Sequence, residues 1–91
     1  MAILVDNPIW WHRGHKWCHC VSDVSYEELH EFVAGLGIPR RAFQGDHYDL
    51  PEEYWQAAIE AGAELIEARE LVKRLRAAGL RKRPGARGAS N

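Results

Sequence analysis

Arg41-Ala42-Phe43-Gln44-Gly45-Asp46-His47-Tyr48-Asp49-Leu50-Pro51-Glu52 is the stretch on which the fold turns. Residues 41–45 read as a short strand around Ala42 and Phe43. The text after them reads as a loop entering a helix, with Asp49 or Leu50 capping it and Pro51 in its first turn, where a missing N–H costs nothing. A strand here, between a helix upstream and one downstream, makes the whole chain an alternation of strands and helices. Such alternation implies parallel strands joined by right-handed crossovers.

Upstream, Ser25 opens a helix and Glu28, three residues on, completes a capping box. Leu29, Phe32, Val33 and Leu36 follow at the spacing of one helical face. Gly37 then supplies the left-handed cap and Pro39 blocks continuation. Downstream, Tyr54, Trp55, Ala58 and Ile59 form an apolar stripe that runs until Gly62. Residues 63–66 are a further strand candidate, and from Glu67 a last helix turns Ala68, Leu71, Val72 and Leu75 inward. Its acidic first turn and its basic end at Lys73, Arg74 and Arg76 suit the helix dipole. Gly79 caps it, and Leu80 is placed for the apolar contact that follows such a cap.

At the front, Ala2-Ile3-Leu4-Val5 is a run of strand formers with no polar break, as a strand buried on both faces requires. Residues 7–24 then form a long connection with Trp10, Trp11, Trp17, three histidines and both cysteines. Connections of that length in small domains tend to carry function. The expected architecture is a small three-layer α/β domain over residues 1–80, with about three parallel strands and three helices. Open sheet edges in so small a sheet suggest a homodimer.

Ninety-one residues, 46% of them apolar and 27% charged, are ordinary values for one packed domain. The first apolar run is too short for a signal peptide, and none reaches the ~20 residues of a membrane span. Cys18 and Cys20 stand too close together to staple the fold, so a cytoplasmic location is the default expectation. The net charge of −1 hides a polarity, because every acidic residue lies at or before Glu70. Residues 81–91 are basic and without periodicity, a disordered tail that suits nucleic acid or an acidic partner, or simply solvent.

In open parallel sheets, ligands bind beyond the carboxyl ends of the strands. That rule gathers Asp6, His19, Asp46, His47, Asp49 and Glu67. Imidazole nitrogen and carboxylate oxygen are what zinc, manganese or iron take, and His19, His47 and Asp49 are the candidate ligands. Asp6, Asp23 and His30 are candidates for a supporting catalytic role. Plainer readings stand beside these: Asp6 as a strand terminator, Asp49 and Asp23 as caps, and His30 as a hydrogen-bonded histidine at the edge of the core. His12, His15, Cys18, His19 and Cys20 crowd one loop, whereas a structural zinc draws ligands from two separated segments. If this stretch is extended, Cys18 and Cys20 face one way as core filler and His19 faces the other. A Ser22 or Cys18 nucleophile lacks a framing motif.

Val5-Asp6, Trp17 with His19, Val21-Ser22-Asp23, Glu28-Leu29-His30, residues 41–43, Gly45-Asp46-His47-Tyr48-Asp49 and Ala61-Gly62-Ala63 together resemble a small bacterial and phage family, domain of unknown function 4031. The likeness covers about residues 3–80. It implies no activity, but it marks His19, Asp23, His30, His47 and Asp49 as positions matching the family pattern. Cys18 and Cys20 depart from that pattern, which argues against a cysteine–zinc site common to the family.

Two functional expectations follow. One is a domain binding a divalent metal ion, with metal-assisted hydrolysis as its reaction class and a small-molecule or phosphoester substrate, a nucleotide among them. The other is an interaction module in which the Trp-rich loop or the basic tail meets protein or nucleic acid.

Overall fold

The computed structural model describes residues 2–81. β1 (Ile3–Val5) is buried on both faces, as its unbroken apolar run requires. β2 (Trp10–His12) and β3 (His15–Ser22) form an antiparallel hairpin with Trp10 opposite Trp17. The turn between them is Arg13-Gly14, both at positive φ (54° and 80°), as a two-residue type I′ hairpin turn demands. The connection expected over residues 7–24 is therefore mostly sheet. Its signal was weak because neither face of β3 is plainly polar and because arginine replaces the usual Asn or Gly in the turn.

Residues 41–45 are not a strand. Arg40–Ala42 is a single 3₁₀ turn after Pro39, and only Phe43 makes an isolated antiparallel bridge, to Tyr48. The Gln44 N–H donates to the His47 carbonyl (2.8 Å), with Gly45 at φ 92° between them, so the chain doubles back at once. The real strand is β4 (Tyr48–Pro51), where a loop and helix cap were expected. Tyr48 and Leu50 point into the core while Asp49 faces the other side, which is strand alternation. Pro51 misled the reading because it serves twice, as the last residue of an edge strand and as N-cap of α2 (Glu52–Glu60).

β4 and β1 flank β3 on its two edges, since Cys20 is opposite both Tyr48 and Val5. β5 (Glu64–Leu65) runs parallel to β1 on the far side. The sheet thus has five strands and is mixed, with one parallel pair; the expected three parallel strands are corrected. The physical reason is the hairpin: a two-residue turn can join only antiparallel strands.

Three helices cover the sheet as expected. α1 (Tyr26–Gly35) begins at Ser25, whose hydroxyl accepts from the Glu28 N–H (3.1 Å). The Glu28 carboxylate meets the Ser22 hydroxyl, which in turn accepts from the Ser25 N–H, so Ser22 relays the second half of the capping box. Leu29 and Val33 of α1 and Ala58 of α2 pack on Ile3, Val5, Cys18, Cys20, Tyr48 and Leu50. α3 (Ala68–Ala77) covers the opposite face, with Leu71 and Leu75 against Leu4 and Val21 and with Leu80 at the margin. Burying each of those leucines contributes about 1.5–3 kcal/mol. α3 is short, so it roofs only the Leu4–Val21 part of its face. The stretch carrying Trp17, His19 and Asp49 has no helix over it.

No helix among the described residues is long and apolar enough to cross a membrane. The basic tail expected over residues 81–91 lies outside the described residues except for Arg81, which is packed against Asp46.

Candidate metal centre

Strand register brings the first histidine between two carboxylates. His19 of β3 is directly opposite Asp49 of β4. On the other edge, Val5 opposite Cys20 carries Asp6 to the position facing His19. Asp6 is only 4% exposed. Its Oδ1 accepts from the His19 backbone N–H and its Oδ2 meets His19 Nδ1, both at 2.7 Å. The Trp55 indole N–H, donated to the Asp6 carbonyl (3.0 Å), ties this corner to α2. The Trp10 ring leans on the imidazole at 4.6 Å between centroids. An ionised carboxylate can only accept, so Nδ1 of His19 carries the proton and Nε2 the lone pair.

The second histidine is built the same way. His47 Nδ1 meets Asp46 Oδ1 at 2.7 Å. Asp46 is clamped in turn by Arg81, with Nε donating to Oδ2 (2.7 Å) and NH2 to Oδ1 (3.2 Å). Burial works against a carboxylate at Asp46, but the Arg81 guanidinium and His47 outweigh it and hold its pKa below the usual range. Burial likewise disfavours charge on His47. Asp49 and Asp46 outweigh that too, and lift its pKa above the ordinary histidine value.

Asp49 is the third member. Its Oδ1 lies 3.1 Å from His47 Nε2, an ion-pair distance. Yet that oxygen is buried and, among the described residues, has no partner in hydrogen-bond geometry. Buried acceptors are rarely left without a partner, because the desolvation cost then goes uncompensated. One ligand atom each from His19, His47 and Asp49 lie within 4.8 Å of one another. Two ligands on a tetrahedral zinc stand about 3.3 Å apart, given bonds of roughly 2.0–2.1 Å, so a small closure would bring all three onto one ion. Both imidazoles are backed at Nδ1 by a carboxylate, the usual support of a metal-bound histidine. The donor set is two nitrogens and one oxygen, which suits zinc, manganese or iron and leaves at least one position for water.

The remaining candidates are placed elsewhere. Asp23 follows β3, about 13 Å from His19 at the usual rise of a strand. Its carboxylate accepts from the Ala2 N–H (2.8 Å) and from Arg74 of α3 (2.9 Å), which makes it a tie between the sheet and that helix. His30 of α1 meets the Tyr48 hydroxyl (2.7 Å) on the α1 face and is edge-on to Phe43, away from the cluster. His15 and His12 sit at the exposed end of the hairpin. Cys18 and Cys20 are buried on the face away from His19, as an extended strand dictates. Burial pushes the Cys18 thiol up to about 12 and Cys20 up as well, so neither offers a thiolate to a metal or a substrate. Ser22 is a buried helix-cap relay. Glu67 precedes α3 and makes no side-chain cap.

Asp23 sets up a test in acid. Burial raises its pKa, but the Ala2 N–H and Arg74 outweigh that and hold it below the ordinary carboxylate value. A depressed folded-state pKa adds stability above the unfolded value of about 3.9 that is lost as pH falls through the folded one. Asp23→Asn should therefore flatten the acid limb of stability, read from urea midpoints between about pH 6 and about pH 2. An unchanged limb would mean that the tie to Arg74 carries no weight.

Sequence reasoning gathered Asp6, His19, Asp46, His47 and Asp49, but it missed two supports. Arg81 had no motif, and only the fold brings it to a residue 35 positions earlier. Trp10 was placed only in the long connection, and its seat on His19 follows from the hairpin.

Neither the curated proteins nor the solved structures include a significant match to this chain. Residues 3–78, nearly all of the described fold and the whole cluster except Arg81, match one protein family. The chain belongs to that family, described as protein of unknown function (DUF4031).

Proposed function

We propose that this domain binds one divalent metal ion through His19, His47 and Asp49 and hydrolyses a phosphoester there. The observation that carries the reading is the convergence of His19, His47 and Asp49, whose ligand atoms lie within 4.8 Å of one another, with Asp49 Oδ1 buried, 3.1 Å from His47 Nε2 and, among the described residues, outside hydrogen-bond geometry. A cation between them would supply the missing partner. An ion held by His19, His47 and Asp49 would supply Lewis acidity and would lower the pKa of a nearby water. When the imidazoles are neutral, Asp6 and Asp46 accept from Nδ1 and so leave Nε2 to a metal, while Arg81 keeps Asp46 charged. Overall, the water oxygen forms a new bond to phosphorus, the ester P–O bond breaks, and the proton lost by water ends on the departing alcohol. The part-exposed rims of His19 and Asp49 give such a substrate access.

Elemental analysis of untagged protein purified without chelator, beside His47→Ala, tests this reading. Near-stoichiometric metal in the parent, lost in the variant, is the expected result. A ligand at a hundred times its Kd also stabilises a protein by about 2.7 kcal/mol, so added zinc or manganese should raise the melting temperature of the parent alone. No metal and no shift with zinc, manganese or iron would overturn it.

A further inference from the structure

Beside Asp49 the sheet opens into a cavity of about 300 Å³, with Trp10, His12, Arg13, Trp17 and Gln44 among its other lining residues. That volume is at the low end for small-molecule pockets, which run from roughly 300 Å³ upward. It suits one small molecule. Asp49 belongs to both the cavity and the cluster, so an occupant lies beside the cluster at that residue.

The walls favour a flat ring. Trp10 and Trp17 are cross-strand partners, so their indoles stand on one face of the sheet. Neither is fully buried. The Trp17 indole N–H is already donated to the His12 carbonyl at 2.7 Å, so what that residue offers an occupant is its π surface. Gln44 adds an amide, which can both donate and accept at a ring edge.

Arg13 is the second, independent observation. It is the one non-glycine among the described residues at positive φ (54°), a conformation that side chains other than Gly, Asn and Asp rarely adopt. The type I′ hairpin turn sets that conformation and holds Arg13 at the tip. Arg13 is exposed, lines the cavity and makes no ion pair among the described residues, so its guanidinium is free for an anion. The lining thus offers a cation at Arg13, two indoles and, at Asp49, one member of the His/Asp cluster.

We propose that this cavity takes a nucleotide unit with an unpaired base, the base stacked on the tryptophans and the phosphate held between Arg13 and the cluster. The proposal deepens the metal reading and rests on it for the second contact to phosphate. A duplex interior is excluded, because paired bases cannot enter a chamber of this size. The same chemistry comes from two sources, a free mononucleotide or the end of a single strand.

The test titrates the protein, alone and with manganese, with the phosphonate analogue of AMP in which CH2 replaces the bridging ester oxygen. Tryptophan fluorescence reads binding, and metal content is measured on the same samples. The analogue should bind saturably and roughly tenfold tighter than ribose 5-phosphate, which lacks the stacking base, and roughly tenfold tighter than adenosine, which lacks the charged group for Arg13. Trp17→Ala should lose that advantage and Trp17→Phe should keep most of it. Arg13→Gly, which relieves the positive φ, should weaken the analogue about tenfold towards adenosine without lowering the melting temperature. A phosphorothioate-linked single strand compared with the analogue identifies the source, the tighter of the two being the natural form. Equal affinity for ribose 5-phosphate and the analogue, or no saturable binding with or without manganese, would overturn the proposal. Manganese held without nucleotide binding would remove this inference and leave the metal reading standing. Nucleotide binding by protein that holds no metal would do the reverse.

Discussion

Asp6→Ala should cost about 2–4 kcal/mol of folding stability, because it removes a charged acceptor and leaves the donors that faced it without a partner. Asp6 is nearly buried and receives both the His19 backbone N–H and its ring Nδ1. Without the carboxylate, the pairing of β1 with β3 beyond Val5 is left to the bond from the Asp6 N–H to the His19 carbonyl (3.4 Å). His19 loses its fixed tautomer, and metal affinity should fall about 10–100-fold, as for other carboxylates behind a ligating histidine. Asp6→Asn separates the two effects. Its amide oxygen still accepts from the backbone N–H, so part of the stability returns, while the charge facing Nδ1 does not. Urea denaturation followed by tryptophan fluorescence, paired with zinc titration, checks both. A fully stable Asp6→Ala would show that this corner of the sheet is held by something else.

Leu75→Ala is the second large effect expected. Among the described residues, the core on the α3 face contains four buried ones, Leu4, Val21, Leu71 and Leu75. Truncating one of them should cost about 2–5 kcal/mol, toward the upper end where the cavity cannot collapse. That is a large share of the roughly 5–15 kcal/mol that holds a domain together. The consequence for the metal centre is indirect. α3 leads into Leu80, whose carbonyl accepts from the Tyr26 hydroxyl, and into Arg81, which clamps Asp46 behind His47. A loosened α3 should weaken metal binding although Leu75 touches none of the ligands. Leu29→Ala on the opposite face is equally buried and serves as the control, losing similar stability but leaving the Arg81 clamp in place. If both variants bind metal alike, α3 roofs the sheet without supporting the site.

The helices were legible because their signals are local. Ser25 and Glu28, the apolar stripe and Gly37 specify α1 within one short segment, and Gly79 with Leu80 ends α3 in the same way. The strand Ile3–Val5 was legible from its unbroken apolar run. β4 was not, although Tyr48, Asp49 and Leu50 do alternate, because Pro51 and the acidic residues after it announce a helix and a strand of four residues gives little periodicity to set against them. β2 and β3 were hidden for another reason. Trp10, Trp17, His19 and the two cysteines are amphipathic or small on both faces, so no contrast marks an inside.

The cluster was gathered by a rule that did not apply, since the strands that carry it are antiparallel and its residues stand across the sheet rather than beyond parallel strand ends. Asp6, His19 and Asp49 come together through register, each directly across from the next. By itself, the sequence determined the helices, the first strand, the layering and the residue types able to hold a metal, because each rests on contacts within a few positions. Only the tertiary structure decided strand direction, the seat of Trp10 on His19 and the reach of Arg81 to Asp46. Those depend on backbone hydrogen bonds and ion pairs between distant segments, which no local pattern of side chains encodes.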